Sequence, residues 1–455
     1  MNTALLVAGL LSVSSVARAA DEPEAPSLPS AAAPEEAPPA REELLEQQIT
    51  ELKDRIRQNE ENQRGAKPRL TVHGYADLGF FVPNGNGGVG WVRDPGNSQM
   101  PEYKGYAWTF LGDILATTVN TRGEAADLGD SPGIDRFDSI HSKGAPGFLV
   151  NEVNLRLGYA LTDAAILRTS VNFMPRTGVD FSIGDFMELD LAELEYVLTR
   201  DGNTSVFVGK SLPTFGIEYK DRKSDQRFGI TPSLVHRYTA GSQLGIKIRS
   251  KLLDEWLVLA GSVTNGSSVT EQFSFSKEID SNTGKTLNGR VAISAPIGSL
   301  AKAIAGDRFE VGASGEWGPQ DWAADNTGAM WFAGVDVQYL GSGFNIKAQG
   351  MRGGSPGRPV DRSWGLKLNK SGYVELNWQM LARLGFVLRA EARDALVTLG
   401  TERAYVTKST RFTGGVRLVF TDNIVLKAEY LNNREYGGIR EFKNDVFTSS
   451  LVLAY

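Results

Sequence analysis

The chain has 455 residues, a formal net charge of −6, three histidines and no cysteine, which excludes disulfides, cysteine-ligated metals, iron–sulfur clusters and a thiol nucleophile. The acidic excess is local, since residues 20–67 carry twelve acidic and six basic side chains. All but two of the 50 glycines lie after residue 65, so a short acidic part precedes a long, glycine-rich and nearly neutral one.

The N-terminal residues predict export. The apolar run 4–11 is too short to span a bilayer, and Ala17 and Ala19 frame an A-x-A cleavage site. Residues 1–19 are therefore interpreted as a secretory signal peptide, although no Lys or Arg precedes the apolar run. Residues 20–40 hold six prolines among Ala, Ser and Glu, a composition that predicts an extended linker.

Residues 41–64 predict a short coiled coil. Their apolar positions are spaced by four, three and four residues, with charged side chains between them: Leu45, Ile49, Leu52 and Ile56. Ile at position a and Leu at position d by themselves favour a dimer. Two heptads are fewer than the three or four typical of a coiled coil, so a single amphipathic helix lying on the rest of the chain is the alternative.

Residues 68–455 predict an all-β fold, because apolar and polar residues alternate in segments of about ten residues and no apolar run is long enough for a membrane-spanning helix. Short turns alternate with long polar loops, among them loops near 211–240, 351–371 and 394–410, as in a transmembrane antiparallel barrel. The predicted strands number sixteen, which satisfies the even count that such a barrel needs. They lie near 69–82, 149–161, 165–174, 187–199, 204–210, 242–250, 255–264, 286–297, 308–317, 329–340, 343–350, 372–379, 385–393, 411–420, 424–431 and 446–455.

Residues 83–148 are predicted to form one long loop outside the wall. Apolar residues within 108–119 are spaced by three, one and four, which favours a short helix. If the loop instead holds a hairpin, the predicted barrel has eighteen strands. The last strand alternates up to Tyr455, and this ending resembles the terminal signal of outer-membrane barrels.

Strand parity assigns charged side chains to the barrel lumen. The predicted pore-lining residues are Arg156, Arg168, Lys247, Arg290, Arg308, Lys347, Arg389, Arg411, Arg417, Lys427, Glu195 and Glu391. Bases outnumber acids on this face, which suggests a weak anion preference, since rings of charge set ion selectivity in a pore. The alternative is that opposite charges pair across strands and brace the wall.

A charged segment within 211–240 predicts a loop that narrows the pore. Its candidate constriction residues are Lys220, Asp221, Arg222, Lys223 and Arg227. Acidic residues in 83–148 have no calcium-loop spacing and predict a solvated loop. A glycine pattern at 85–90 lacks the helix that phosphate binding needs, so neither cofactor, metal nor nucleic acid is predicted.

The ten residues from Gly209 to Glu218, GKSLPTFGIE, resemble the G-Q-x-x-x-P-F-G-x-E stretch of phosphate-selective porins of the O/P type, with one extra residue between Pro213 and Phe215. The order of signal peptide, short coiled coil and barrel also resembles the DcaP-like trimeric porins. These resemblances imply a homotrimer in the lipid of a Gram-negative outer membrane, with the coil in the periplasm and small anionic solutes as cargo.

The sequence therefore predicts a porin for passive diffusion of small hydrophilic solutes, without enzyme activity. Three alternatives stay open: an outer-membrane barrel enzyme, an anchoring protein whose coil holds a periplasmic partner, and a soluble secreted β-protein.

Overall fold

The structure is a computed structural model, and it describes residues 70–83, 90–94, 107–111, 147–173, 187–239, 241–269, 274–276, 283–296, 307–319, 328–355, 364–400, 402–437 and 445–455. The predicted signal peptide, linker and coiled coil lie outside the described residues, as does the acidic part of loop 83–148. Among the described residues, no helix is both long enough and apolar enough to cross a membrane.

The described residues are almost entirely β-strands. In chain order the strands are β1 (Leu70–Pro83), β2 (Gly90–Asp94), β3 (Ala107–Leu111), β4 (Gly147–Thr162), β5 (Ala165–Phe173), β6 (Met187–Val197), β7 (Thr204–Ser211), β8 (Gln243–Leu252), β9 (Leu257–Thr264), β10 (Ser267–Val269), β11 (Ser274–Ser276), β12 (Thr286–Pro296), β13 (Arg308–Pro319), β14 (Ala329–Gly341), β15 (Phe344–Ser355), β16 (Trp364–Leu381), β17 (Leu384–Leu399), β18 (Glu402–Thr421), β19 (Ile424–Glu435) and β20 (Val446–Ala454). A 3-10 turn (Glu218–Asp221) and a single helical turn (His236–Thr239) lie between β7 and β8.

Sixteen of these strands form a closed antiparallel barrel, which confirms the predicted fold class and strand number. Each wall strand pairs with its neighbours in the chain, and β1 closes the ring by pairing with both β4 and β20. At the seam, the backbone N–H of Tyr455 donates to the carbonyl of Gly74 at 3.0 Å. A Cβ at Gly74 would collide with the Tyr455 side chain, so glycine leaves room for the C-terminal ring.

Side chains on the wall alternate between an apolar outside and a polar inside, because successive residues of a strand point to opposite faces. On β14, Val335 is 63% exposed on the outside, whereas the neighbouring Asp336 is 1% exposed and faces the lumen. On β17, Leu388 is likewise exposed on the outside, whereas Arg389 is buried and faces the lumen. The apolar face is outside and the polar face inside, the reverse of a soluble protein. This pattern suits a barrel with lipid outside and polar groups within, where closure leaves no strand edge unpaired.

Two predictions about loop 83–148 are corrected by its described parts. Residues 107–111 form a strand, so the predicted helix over 108–119 is wrong there; β3 pairs with β2 as a hairpin and lies parallel to Tyr405–Thr407 of β18. The loop thus holds a hairpin, yet the barrel does not have eighteen strands. The sixteen-stranded wall closes without this hairpin. The hairpin instead pairs with a part of β18 that extends beyond the pairing of β18 with β19.

The predicted long loop near 394–410 is also wrong. There β17 and β18 continue as a paired hairpin up to Leu399 and Glu402, joined by residues 400–401. Similarly, β15 ends only at Ser355 and β16 already begins at Trp364, so the loop is shorter than the predicted 351–371. Inward positions in these extensions are apolar and buried, as at Leu368 and Val397, so packing beyond the charged lumen favours continued strands.

Candidate functional site: a loop inside the barrel

The described residues of the segment 212–242, between β7 and β8, lie in the barrel lumen, and the segment is called the inserted loop below. Its apolar residues Phe215, Ile217 and Leu234 are almost completely buried. Gly216 has a φ of +69°, and a Cβ there would collide with the side chain of Gln349 on β15. Because glycine readily adopts this left-handed conformation and has no side chain, the loop turns directly against the wall.

Carboxylates of the wall accept hydrogen bonds from the backbone of the inserted loop. The N–H groups of Ile230 and Thr231 donate to Glu429 on β19 at 2.7 and 3.0 Å, and the hydroxyl of Thr231 donates to the same carboxylate at 2.7 Å. The N–H of Leu234 donates to Glu391 on β17 at 2.6 Å. Hydrogen bonds to an ionised acceptor are stronger than neutral ones, so these carboxylates fix the loop firmly.

Basic side chains of β17, β18 and β19 donate to the carbonyl oxygens of the loop. The Lys427 ammonium donates to the carbonyls of Ser224, Arg227 and Gly229 at 2.6, 2.5 and 2.9 Å. Arg411 on β18 donates to the carbonyl of Pro232 at 2.7 Å. Arg389 on β17 donates to the carbonyls of Thr231 and Pro232 at 2.9 and 3.3 Å. Three residues predicted to line the pore therefore bind the inserted loop.

The predicted constriction residues contact other parts of the wall. Lys220 lies 3.3 Å from Glu310, and Asp221 lies 2.6 Å from Lys347 on β15. Arg222 and Lys223 both pair with Asp190 on β6, and Lys223 also lies 3.3 Å from Glu152 on β4. The side chain of Arg227 is buried and donates to the carbonyl of Arg222 at 3.4 Å. The loop is thus held at several points around the lumen.

An alternating row of bases and acids runs along β15 to β18. Lys347 lies 2.8 Å from Glu375, Glu375 lies 3.1 Å from Arg389, and Glu391 lies 2.7 Å from Arg389 and 2.8 Å from Arg411. These side chains are almost fully buried beneath the inserted loop. The free-energy cost of removing these charges from water offsets much of their mutual attraction. The row therefore defines the position of the loop more than it raises the stability of the fold.

A second group of charged residues lies in the lumen on β5 to β8. Arg168 pairs with Glu195, and its side chain is 38% exposed whereas that of Glu195 is 10% exposed. Arg249 is 48% exposed and lies 3.9 Å from Glu195. Lys247 donates to the carbonyl of Leu212 at 2.9 Å and lies over the Phe207 ring. These bases have more contact with solvent than the row on β15 to β18.

The remaining predicted pore-lining residues also face inward. Arg156 lies 2.6 Å from Asp225 of the inserted loop, and Arg417 lies over the ring of Phe228, also in that loop. Arg290 pairs with Asp336 and with Glu310, the latter at 2.9 Å. Arg308 lies apart from the loop, 3.3 Å from Glu255 at a short turn.

A buried pair organises the inserted loop itself. Glu218 accepts hydrogen bonds from the N–H and the hydroxyl of Ser233 at 2.9 and 2.5 Å, and lies 3.7 Å from Nδ1 of His236. Burial opposes ionisation of Glu218, but the nearby His236 ring and the hydrogen bonds from Ser233 lower its pKa below the ordinary value. Burial lowers the pKa of His236, which Glu218 only partly opposes.

Sequence reasoning missed three carboxylates that hold the loop. Asp77 on β1 accepts from the Ser224 hydroxyl, Asp190 pairs with Arg222 and Lys223, and Glu218 binds Ser233. The parity of β1 puts Asp77 on the lumen face and would have identified it. The motif resemblance at Gly209–Glu218 includes Glu218 but does not give its partner, which depends on the path of the inserted loop. Asp190 lies at an irregularity of register between β5 and β6, so the parity that places Glu193 and Glu195 does not identify it.

The closed ring, its apolar outside and its polar lumen define a transmembrane β-barrel of the outer-membrane type. No protein-family model matches the chain, and no curated protein matches it. Solved structures of outer-membrane channels are similar over most of their length. The channel DcaP of Acinetobacter baumannii is 11% identical, covering 86% of this chain and 98% of its own, with a TM-score of 0.49.

Two further solved structures are similar to the same extent. The anion-selective porin from Comamonas acidovorans is 10% identical, covering 86% of this chain and 100% of its own, with a TM-score of 0.47. OmpF of Salmonella typhi, in a complex with daunomycin, is 11% identical, covering 85% of this chain and 97% of its own, also with a TM-score of 0.47.

Proposed function

We propose that the protein is a passive channel for small hydrophilic solutes in the outer membrane of a Gram-negative bacterium. The observation that carries the proposal is the inserted loop, which lies in the lumen of a sixteen-stranded barrel and is bound to strands on several sides. A barrel of sixteen strands is wide enough for an aqueous channel. A loop fixed across the lumen narrows the channel without blocking it.

In this proposal the constriction includes Lys220, Asp221, Arg222, Lys223 and Arg227. Of these, Lys220 and Asp221 are the accessible ones, whereas Arg222, Lys223 and Arg227 are buried and fix the loop. Passage through such a pore needs no reaction chemistry, so we propose no catalytic residues and no cofactor.

We further propose a weak anion preference. Where ion pairs of the lumen are partly accessible, the base is often the more exposed partner, as in the pairs of Arg168 with Glu195 and of Lys220 with Glu310. The acid is the more exposed partner in the pairs of Lys347 with Asp221, of Arg290 with Glu310 and of Arg308 with Glu255. Exposed positive charge in a narrow pore favours anions, and the opposing pairs keep the preference weak.

Planar-bilayer recording tests the channel. The purified protein should give stepwise conductance, and replacing residues 217–234 by two glycines should increase the conductance of each step. The matched control replaces residues 320–327, between β13 and β14, by two glycines, and should leave the step size unchanged. Bilayers that stay silent, or a loop deletion without effect on the steps, would contradict the proposal.

The oligomeric state is part of the proposal. The resemblance to trimeric porins supports a homotrimer with its coil in the periplasm, whereas the heptad pattern at 45–56 by itself favours a dimer. Light scattering of the detergent-solubilised protein, with and without residues 20–67, tests this state. A monomer in both samples would contradict the trimer. A trimer in both samples would show that the coil is not needed for trimer formation.

A further inference from the structure

A groove runs over the outer face of β15 to β18, where four neighbouring positions have very small side chains. Strand pairing places Gly350, Gly372, Ala392 and Thr410 side by side in one row across these strands. Ala348 and Ala390 continue the groove towards the short-turn end of the barrel. Its volume is about 630 Å³, which is within the usual range for ligand sites.

The walls of this groove are apolar and face away from the lumen. Val335 on β14 forms one side and Phe412 on β18 the other, and their side chains are 63% and 55% exposed. Val374 lies between them on β16 and is also exposed. In a barrel surrounded by lipid, a groove of this kind is open to acyl chains.

Basic side chains stand at the long-loop end of the groove. Met351 pairs with Ser371 and Gly353 with Leu368, so Arg352 lies against the bulge that presents Lys370. Both side chains are exposed, and the Lys370 ammonium lies 5.4 Å from the centroid of the Tyr436 ring.

An acidic residue also lies at this end of the groove. Asp394 pairs across from Lys370 and accepts a hydrogen bond from the amide of Asn369 at 3.0 Å. Together with Arg352 and Lys370 it leaves an excess of one positive charge there.

The height of these bases is marked by tryptophan. Trp317 and Trp331 pair across β13 and β14 on the outer face and are 57% and 43% exposed. The guanidinium carbon of Arg352 lies 5.9 Å from the centroid of the Trp331 ring. Tryptophan is enriched where the membrane meets water, so Arg352 and Lys370 stand at head-group height. The long-loop end faces outward in such barrels, which makes this the outer leaflet.

We propose that this groove binds a phosphorylated glycolipid of the outer leaflet. An acyl chain lies along the small residues at Gly372, Ala390 and Ala392, and a phosphate on the sugar lies between Arg352 and Lys370. The guanidinium suits phosphate because its parallel N–H groups can donate to two oxygens at once. A second copy of the chain is the rival occupant of the apolar groove, and the oligomeric state of the Ala392→Leu variant distinguishes the two. The proposal depends on placement in the membrane and not on conduction.

Binding of purified lipid A bisphosphate to the full chain in non-ionic detergent tests the proposal. Each of Arg352→Gln and Lys370→Gln should weaken binding about tenfold, since each removes a charge-assisted contact. Ala392→Leu fills the groove and should weaken binding to a similar extent. Arg383→Gln, at the exposed short turn of the β16–β17 hairpin, is the matched control and should bind as the unaltered protein does.

Heat-dependent gel migration confirms that each variant is folded before binding is measured. Equal binding by the unaltered protein and the Arg352→Gln/Lys370→Gln double variant would overturn the proposal. Equal affinity for phosphatidylglycerol would overturn the glycolipid in favour of any anionic lipid. Ala392→Leu variants that lose their oligomeric state, with lipid binding unchanged, would make the groove an interface between copies.

Discussion

Lys427 and Glu429, two positions apart on β19, hold the same stretch of the inserted loop through opposite backbone groups. The Lys427 ammonium donates to three carbonyl oxygens of the loop, and the Glu429 carboxylate accepts from two of its N–H groups. Residues i and i+2 of a strand share a face, so this spacing puts both charges in the lumen. Together they satisfy backbone groups that would otherwise be buried without partners.

Lys427→Met should loosen the inserted loop. Methionine keeps much of the apolar length of the lysine but leaves three carbonyl groups without their donor. We expect a loss of about 2 kcal/mol in the stability of the folded barrel, partly offset because water reaches the vacated site. Thermal unfolding followed by gel migration measures the loss, and single-channel recording should show added current noise.

The control for this prediction is Lys251→Met, since Lys251 pairs with Glu255 near a short turn and lies away from the inserted loop. Exposed pairs contribute little, so this variant should unfold close to the unaltered protein. If the two variants lose stability equally and neither adds noise, Lys427 does not hold the loop.

Exposed arginines in the lumen should determine ion preference. The double variant Arg168→Gln/Arg249→Gln removes two accessible positive charges and leaves the inserted loop in place. The ratio of anion to cation permeability should fall about twofold, and the fall should shrink in molar salt because screening shortens the reach of each charge. Reversal potentials in a salt gradient measure the ratio. The control Arg383→Gln should leave the ratio unchanged. If the ratio is also unchanged in the double variant, Arg168 and Arg249 do not determine selectivity.

The barrel was predictable because its signal is repeated. Alternation along each strand and the even strand count are properties of the chain itself, and parity placed residues such as Arg156 and Lys427 in the lumen. The partners of these residues were not predictable, because the inserted loop determines them. Lys427 binds three loop carbonyls, and that contact depends on how residues 224–229 cross the lumen.

The extended hairpins show a second limit of sequence reasoning. Residues 394–410 carry enough polar side chains to predict a loop, but inward positions such as Ala395 and Val397 are apolar and buried. Their environment changes from lumen to packed interior along one strand, and no local pattern in the chain marks this change. The β2–β3 hairpin, which the sequence leaves as the alternative to a short helix, has a similar explanation, since pairing with β18 favours strand where the local spacing favours helix.

Acid should loosen the inserted loop through His236 and Glu218. Burial lowers the pKa of His236, so its contribution to stability is complete above the ordinary histidine value of about 6.5 and declines as the pH falls below it. The lowered pKa of Glu218 acts in the same direction at lower pH, since its stabilisation is lost as the carboxylate becomes protonated. Arg222 and Arg227 face this pair and add to the cost of a charged His236.

Channel noise recorded from pH 8 to pH 4 tests this prediction, and it should rise below about pH 6. His236→Gln removes the histidine part, so its noise should change less between pH 7 and pH 5.5. His73→Gln is the matched control, because His73 is exposed on β1. A pH profile that is the same for the unaltered protein and His236→Gln would contradict the role of His236.

Gly216→Ala should destabilise the inserted loop more than Gly202→Ala destabilises a turn. Both glycines have left-handed φ values, +69° and +76°, where an added Cβ costs about 1–2 kcal/mol. Gly202 has open space around it, whereas a Cβ at Gly216 would collide with Gln349. The difference between the two unfolding midpoints therefore measures crowding alone. Equal midpoints would mean that Gln349 moves aside, and that the loop does not depend on its close approach to β15.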